Sequence, residues 1–250
     1  MGKVDSKEVG LEIGLLLTRF FFNSEDLHFG YWPDGTPTDM STISKAQTNH
    51  SNLIFSHIPD GVKNILDVGS GSGELAKKLI DKGYSVDCVS PSSFLSDTIQ
   101  SKLPPQSTLY RTTLEDLETD HRYDLIIFSE SFQYVNIQSG LSKCAHLLKH
   151  HGHLLIFDFF SIETDSKSPL RGGHKISKFL EAINQFPFEN IIDLDVTKET
   201  APTIGILDKL LTEFLIPSKD LSAKYLSSNF PIVTKFIKWK LKKRIAKINR

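Results

Sequence analysis

The segment that most constrains this chain is ILDVGSGSG, residues 65–73. A short apolar run, which predicts a buried strand, leads into glycines at positions 69, 71 and 73, and the helix-like run 74–80 follows. A strand, a glycine turn and a helix in this order are typical of a nucleotide site at the carboxyl end of a parallel strand. Glycine is needed there because the turn is tight and the ligand approaches bare backbone.

The spacing of the glycines separates two kinds of nucleotide site. A dinucleotide fingerprint, Gly-x-Gly-x-x-Gly, would place its third glycine at position 74, which is Glu74. The acid Asp67 would also repel a pyrophosphate. The observed pattern instead resembles the S-adenosylmethionine (SAM) site of class I methyltransferases, and SAM carries an ammonium and a sulfonium but no phosphate. The resemblance implies SAM as the cofactor, held by Asp67, Gly69, Ser70 and Gly71; a glycine turn without a ligand is the alternative.

Bulk composition suits one medium-sized α/β domain, since the chain has 250 residues, 39% of them hydrophobic, and a formal net charge of −1. Cys88 and Cys144 show no metal or redox spacing, and no pair among the nine histidines has zinc spacing with a further ligand. No signal peptide is recognisable, and the apolar run 15–22 is too short to span a bilayer. We therefore expect a cytoplasmic protein without a metal site.

A change of pattern near residue 62 organises the chain. Before it the sequence looks helical, and after it strands alternate with helices, which predicts a doubly wound, mostly parallel, Rossmann-like sheet. The predicted strands are 63–68, 84–90, 107–111, 123–129, 153–160 and a sixth at 188–195, with helices at 73–82, 92–102 and 138–149. The expected domains are an N-terminal helical lid (1–60), a SAM-binding core (61–160), an acceptor-side helical cap with the sixth strand (161–231) and a basic amphipathic helix (232–250).

The carboxyl-terminal part departs from the expected pattern. Class I methyltransferases usually finish with an antiparallel edge strand, and nothing after residue 196 resembles one, so either that strand is lost or the chain stops early. After Asp220, nine Lys and Arg residues follow without an acid. Apolar residues at helical spacing in 232–250 predict a helix that binds an anionic membrane surface or an acidic carrier protein, or else packs on the domain.

Segment 27–32, LHFGYW, resembles the His-x-Gly-Tyr-Trp signature of the subgroup that contains natural-product sugar O-methyltransferases, with tocopherol and sterol methyltransferases as relatives. In that subgroup the segment closes over the methionine half of SAM. The resemblance implies that Tyr31 and Trp32 contact the cofactor; ordinary aromatic core is the alternative.

The same resemblance assigns the rest of the cofactor site. Ser90 stands where most class I enzymes have an acid for the ribose hydroxyls, and it contributes about 1 kcal/mol where a carboxylate contributes about 1.5–3 kcal/mol. Backbone at Leu114 and Glu115 is implied to receive the adenine. Ser129, at the end of the fourth strand, completes the cofactor contacts.

Three residues are candidates for the acceptor side. Asp158 ends the fifth strand where the sugar methyltransferases have an acid, and we expect it to orient or deprotonate the acceptor; pairing with a backbone amide or a lysine is the alternative. Gln133 and Tyr134 stand where the family often has a histidine base. Gln is no base and free Tyr has a pKa of about 10, so we expect Gln133 or Tyr134 to hydrogen-bond the acceptor.

The predicted function is methyl transfer to an O or N atom of a small-molecule acceptor. Residues 129–132, SESF, lack the Asn/Asp-Pro-Pro-Tyr/Phe motif of nucleic-acid amine methyltransferases, so no nucleic acid partner is expected. A lipid or carrier-bound acceptor is the first alternative. A protein that binds SAM without catalysis is the second, because the usual base is missing.

Overall fold

The computed structural model describes residues 6–162, 173–232 and 234–235. Its helices are α1 (Ser6–Phe22), α2 (Ile43–Ser56), α3 (Glu74–Asp81), α4 (Ser93–Gln100), α5 (Ile137–Leu147), α6 (Ile176–Ile183), α7 (Thr197–Thr200), α8 (Pro202–Lys209) and α9 (Ile216–Asn229). Its strands are β1 (Asn64–Val68), β2 (Ser85–Val89), β3 (Leu109–Tyr110), β4 (Tyr123–Ser129), β5 (Leu148–Phe157), β6 (Phe160–Ser161) and β7 (His174–Lys175). Two 3₁₀ turns (Met40–Thr42 and Phe132–Tyr134) and a π-helical stretch (Leu210–Leu215) complete it.

The main sheet has the order β3-β2-β1-β4-β5, and every pairing in it is parallel. This arrangement confirms the predicted doubly wound α/β fold. The strand order reverses between β1 and β4, and ligands in such sheets bind at this switch point, beyond the carboxyl ends of the strands. The loops after β1, β4 and β5 therefore lie side by side.

Both faces of the sheet are covered, because alternate residues of each central strand point to opposite sides. Ile65, Leu125 and Ile127 face a core that also contains residues of α1 to α4. Leu66 and Phe128 face a second core, built with residues of α5 and α6. Each such side chain contributes about 1.5–3 kcal/mol when fully buried, so the strands that carry the loops form a rigid base.

The strand predicted at 188–195 is wrong, since these residues have no regular structure. Their apolar side chains stay exposed, with Ile191 at 72% and Leu194 at 54%. An edge strand is stable only when a neighbour pairs with its backbone, and within the described residues no strand pairs with the outer edge of β5. Within the described residues, the strands of this sheet all pair in parallel.

The chain divides into two compact units, Met1–Thr200 and Ala201–Arg250. The second unit is helical over its described residues and contains α8 and α9. Of the basic helix predicted at 232–250, residues 233 and 236–250 lie outside the described part, and so do residues 163–172 of the predicted cap. Among the described helices, none has both the length and the apolar character that a bilayer crossing requires.

Candidate active site

The glycine loop after β1 has the backbone that its sequence predicts. Gly69, Gly71 and Gly73 all have positive φ, at 73°, 54° and 83°. A Cβ on Gly69 would collide with Ser131, and one on Gly73 would lie 3.2 Å from the Ile99 Cα. A Cβ on Gly71 would have no neighbour nearer than 3.9 Å. Packing therefore requires the outer two glycines, whereas Gly71 keeps an approach to the loop backbone open.

Asp67 places a buried carboxyl group beside this loop. Its side chain is buried, with 1% exposure, and among the described residues its Oδ2 has no hydrogen-bond partner. Burial raises the pKa of Asp67 to about 7. Because a buried carboxylate without a partner is costly, a cationic ligand group fits here, and the ammonium of SAM is such a group. Ser70 supports the turn instead, since its Oγ donates to the Asp67 carbonyl at 2.9 Å.

Residues 24–32, here called the strap, contain the LHFGYW signature and are fixed beside the glycine loop. Gln47 of α2 donates through Nε2 to the carbonyls of Asp26 and His28, both at 3.0 Å. Lys78 of α3 binds the Asp26 carboxylate at 2.7 Å. Leu27 is the residue nearest to the open side of Gly71. The strap therefore lies beside the open side of Gly71 in the glycine loop.

The two aromatic residues of the signature have different surroundings. Trp32 is buried, with 4% exposure, and its Nε1 donates to Thr42 Oγ1 at 3.3 Å. This environment favours the core-packing alternative for Trp32. Tyr31 is half-buried and its backbone binds α2, where its N–H donates to the Ala46 carbonyl at 2.9 Å. The contact of Tyr31 and Trp32 with the cofactor stays a prediction.

On the ribose side, Ser90 is buried at the end of β2, and its N–H donates to the Tyr110 carbonyl at 3.0 Å. A carboxylate that sequence reasoning missed lies close by. Glu8 of α1 accepts through Oε2 from Ser92 Oγ at 3.1 Å and from Phe94 N at 2.9 Å. The amino-terminal helix thus brings an acid to the segment directly after Ser90.

The two residues expected to meet adenine have side chains with structural partners. Leu114 is buried in the core beneath the loop, at 2% exposure. Glu115 accepts from Asn136 N at 2.8 Å, at the start of α5. Only their backbone is left for the predicted role.

On the acceptor side, the structure brings Asp158 and Gln133 together. Asp158 accepts through Oδ2 from Gln133 N at 2.9 Å, and through Oδ1 from Gln133 Nε2 at 3.1 Å and Phe159 N at 2.7 Å. Burial raises the pKa of Asp158 although these backbone bonds oppose it. Tyr134 is 83% exposed, at the rim. Asp158 is thus held in a fixed orientation, and its backbone contacts also agree with the structural alternative.

Glu130 is a second carboxylate at the same edge, and sequence reasoning missed it. It directly follows β4, with its backbone in the left-handed region at φ 57° and its N–H donating to the Phe157 carbonyl at 2.7 Å. A non-glycine residue in this region stores about 1–3 kcal/mol, and such strain clusters at functional sites. Burial raises the pKa of Glu130 to about 7, the Asp158 charge adds to this, and the His28 charge opposes it. Its Oε1 accepts from Phe29 N of the strap at 2.8 Å.

Two stacked imidazoles lie beside Glu130. The rings of His28 and His50 are 4.0 Å apart and inclined by 22°, and His50 also stacks on Phe157 at 4.0 Å. His50 Nε2 lies 3.1 Å from Ser129 Oγ, and His50 Nδ1 lies 3.7 Å from Glu130 Oε1. His50 could have been found from its position on the buried side of α2, whereas its partners could not.

His28, His50 and Glu130 lie close enough together to suggest a metal centre. The ring geometry argues against one. A metal ion binds an imidazole nitrogen close to the plane of the ring, and two stacked rings with nearly parallel planes do not converge on a common ion. We therefore treat the group as an electrostatic cluster.

Comparisons with known proteins indicate which kind of domain contains this site. Residues 65–152 match the family model described as a methyltransferase domain. A putative methyltransferase of Geobacillus sp. is 34% identical over 141 residues, which cover 53% of this chain and 56% of that protein. Ubiquinone biosynthesis O-methyltransferase of Rickettsia felis is 28% identical over 167 residues and 62% of each chain. An uncharacterized methyltransferase of Mycobacterium bovis matches at 26% over 97 residues, 39% of this chain and 40% of that protein. The chain thus spans only about half the length of these relatives.

Two solved structures share the fold. Geranyl diphosphate C-methyltransferase from Streptomyces coelicolor aligns with a TM-score of 0.67 at 14% identity, covering 83% of this chain and 89% of that one. The [4+2]-cyclase SpnF aligns with a TM-score of 0.65 at 16% identity, covering 94% and 88%. The sequence matches indicate a methyltransferase domain over residues 65–152, and the fold is that of class I SAM-dependent methyltransferases. SAM is the cofactor of this class, and Asp67 and the glycine loop fit it.

Proposed function

We propose that this protein transfers the methyl group of SAM to an O or N atom of a small-molecule acceptor. The observation that carries the proposal is the pair of partly buried carboxylates, Glu130 and Asp158, at the ends of adjacent strands and on the same sheet edge as the glycine loop. When bound, SAM supplies a methyl already activated by its sulfonium. The chain must then align the acceptor, exclude water and take up a proton.

Each carboxylate suits one of these tasks. Asp158 is fixed through both of its oxygens, so it would orient the acceptor with little cost in side-chain entropy. Glu130, whose pKa is about 7, is suited to accept the proton, because a base works best when its pKa lies near the working pH. Gln133 holds Asp158 through its amide, and Tyr134 stands at the rim where an acceptor would enter.

The proposal is tested by incubating the protein with methyl-labelled SAM and a panel of small hydroxyl, amine and carbon acceptors. For the acceptor found, Glu130→Gln and Asp158→Asn should each lower kcat by about 100-fold or more. Affinity for S-adenosylhomocysteine should hardly change. Asp81→Asn, which removes a carboxylate that is 60% exposed, is the matched control and should keep full activity.

Three outcomes would count against the proposal. Wild-type turnover in both carboxylate variants would show that the pair is structural. Labelling of carbon alone would correct the acceptor atom. Binding of S-adenosylhomocysteine without transfer to any acceptor would favour a non-catalytic SAM-binding protein.

A lipid or carrier-bound acceptor is the second candidate. The unit Ala201–Arg250 exposes large apolar side chains, among them Leu221 at 68% and Tyr225 at 61%. Nine cationic residues follow Asp220 without an acid. This combination favours an anionic membrane surface or an acidic carrier protein as a partner.

A further inference from the structure

The stacked imidazoles have opposite electrostatic surroundings. Burial disfavours charge on His28, but the Asp26 carboxylate at 3.2 Å from its Nε2 outweighs this and raises the pKa of His28. The pKa of His50 is lowered well below its usual range, first by burial and then by the His28 charge. The surroundings therefore favour charge on His28 and oppose it on His50, although the two centroids are only 4.0 Å apart.

Resting on the function proposed above, we propose that His28 is a positioning residue: its buried imidazole, 3.2 Å from the Asp26 carboxylate and beside Glu130, sets the pH range in which the Glu130 carboxylate can accept a proton. His50 contributes no charge to Glu130 in this proposal. It is a neutral spacer that contacts Ser129 and Glu130 and fills the space between His28 and Phe157.

The geometry links this tuning to the strap. His28 and Phe29 are neighbours in the strap, and the Phe29 N–H donates to Glu130 Oε1. His28 Nδ1 lies 2.8 Å from the Phe29 carbonyl, so the same residue holds the ring and the carboxylate. One hydrogen-bond partner of the Glu130 carboxylate is therefore a backbone group of the strap.

Other charged groups also act on this cluster and must be separated from His28. On the Glu130 side, Asp158 lies at the end of β5 and Tyr134 in the turn after β4. On the imidazole side, Asp26 belongs to the strap and Lys78 to α3. Asp67 of β1 is influenced by His28 as well. A single substitution changes one of these groups and leaves the others in place. The shift that it causes in the pH profile therefore reports the contribution of that group.

The first experiment needs no acceptor and therefore does not depend on the proposed function. Ring-nitrogen NMR of the histidines in the full chain should show that His28 keeps its proton to a higher pH than an ordinary histidine, and that His50 loses its proton at a lower pH than an ordinary histidine. His28→Gln and His50→Gln assign the two signals. Titration of His28 at or below the pH at which His50 titrates would overturn the proposal.

The second experiment measures kcat/KM against pH with the acceptor found in the screen. His28→Gln removes the positive charge of the imidazole beside Glu130, so the pKa of Glu130 should rise. The acid limb of the pH profile of kcat/KM should then move to higher pH. We expect a shift of about one pH unit, which is about tenfold in kcat/KM on the acid side. Asp26→Asn removes the group that keeps His28 charged and should shift the limb in the same direction, and the double variant should not add to it.

His50→Gln is the matched control, since it makes the same substitution on the neutral ring. It should lower the plateau without moving the acid limb, which is what a packing role predicts. Equal limb positions in wild type and His28→Gln would overturn the tuning role even if activity falls. Loss of the limb in Glu130→Gln with an unmoved limb in His28→Gln would refute this inference and leave the proposed function intact.

Discussion

The glycine loop and the acceptor side lie on the same sheet edge but differ in how they are built. The loop is one continuous segment whose positive φ angles are imposed by Gly69, Gly71 and Gly73. The acceptor side is assembled from the strap, α2 and the ends of β4 and β5, and its Glu130 adopts positive φ without being a glycine. A ligand site specified by local backbone is visible in sequence, whereas one specified by convergence of distant side chains is visible only in the fold.

The largest expected effect tests the loop half of this comparison. Gly71→Val should lower affinity for S-adenosylhomocysteine by about 100-fold or more, since the side chain fills the open approach and the branched residue is strained at φ 54°. Gly83→Val is the matched control, because Gly83 also has positive φ and open space but lies in the turn before β2. Calorimetry on both variants decides; equal losses would mean that strain, not the ligand space, explains the effect.

The second prediction concerns pH and Asp67. A cationic ligand needs the carboxylate ionised, and the pKa of Asp67 without ligand is about 7. Affinity for S-adenosylhomocysteine should therefore be full above pH 7 and fall about tenfold per unit below it, with a proton released on binding. Asp67→Asn should bind more weakly and lose this dependence. An unchanged slope in the Asn variant would assign the proton to another group.

A smaller effect is expected at Ser90. An acid there can accept both ribose hydroxyls, so Ser90→Asp should keep or tighten binding of S-adenosylhomocysteine by a few-fold. Glu8 is the complication, since its carboxylate contacts Ser92. If Ser90→Asp weakens binding and Glu8→Gln restores it, Glu8 already supplies the missing acid. If Ser90→Asp weakens binding and Glu8→Gln does not restore it, neither position 90 nor Glu8 has the expected role toward the ribose hydroxyls.

The smallest effect concerns the basic carboxyl-terminal residues. The full chain should co-sediment with anionic vesicles at low salt and be released as salt rises, because exposed charges are screened over a Debye length of about 8 Å at physiological ionic strength. A chain ending at Pro231, which lacks eight of the nine cations after Asp220, should remain in the supernatant. Equal sedimentation of the two proteins would remove the membrane partner.

The sequence predicted the parallel sheet and the glycine loop because period and turn chemistry are local properties. It failed at 188–195, where apolar residues suggested a strand but no neighbouring strand pairs with them. It also missed Glu130, His50 and Glu8. Each of these acts through partners far away in sequence, such as Phe29 for Glu130 and Phe94 for Glu8. Asp158 and Gln133 were predicted separately, but only the turn after β4 brings them into contact.

Calorimetric titration of the wild-type chain with S-adenosylhomocysteine and, separately, with NAD tests the central claim most directly. The central claim is that Asp67 and the glycine loop form a site for a cationic ligand without phosphate. We therefore expect micromolar or tighter binding of S-adenosylhomocysteine and no measurable heat with NAD. Micromolar binding of NAD with no response to S-adenosylhomocysteine would contradict it.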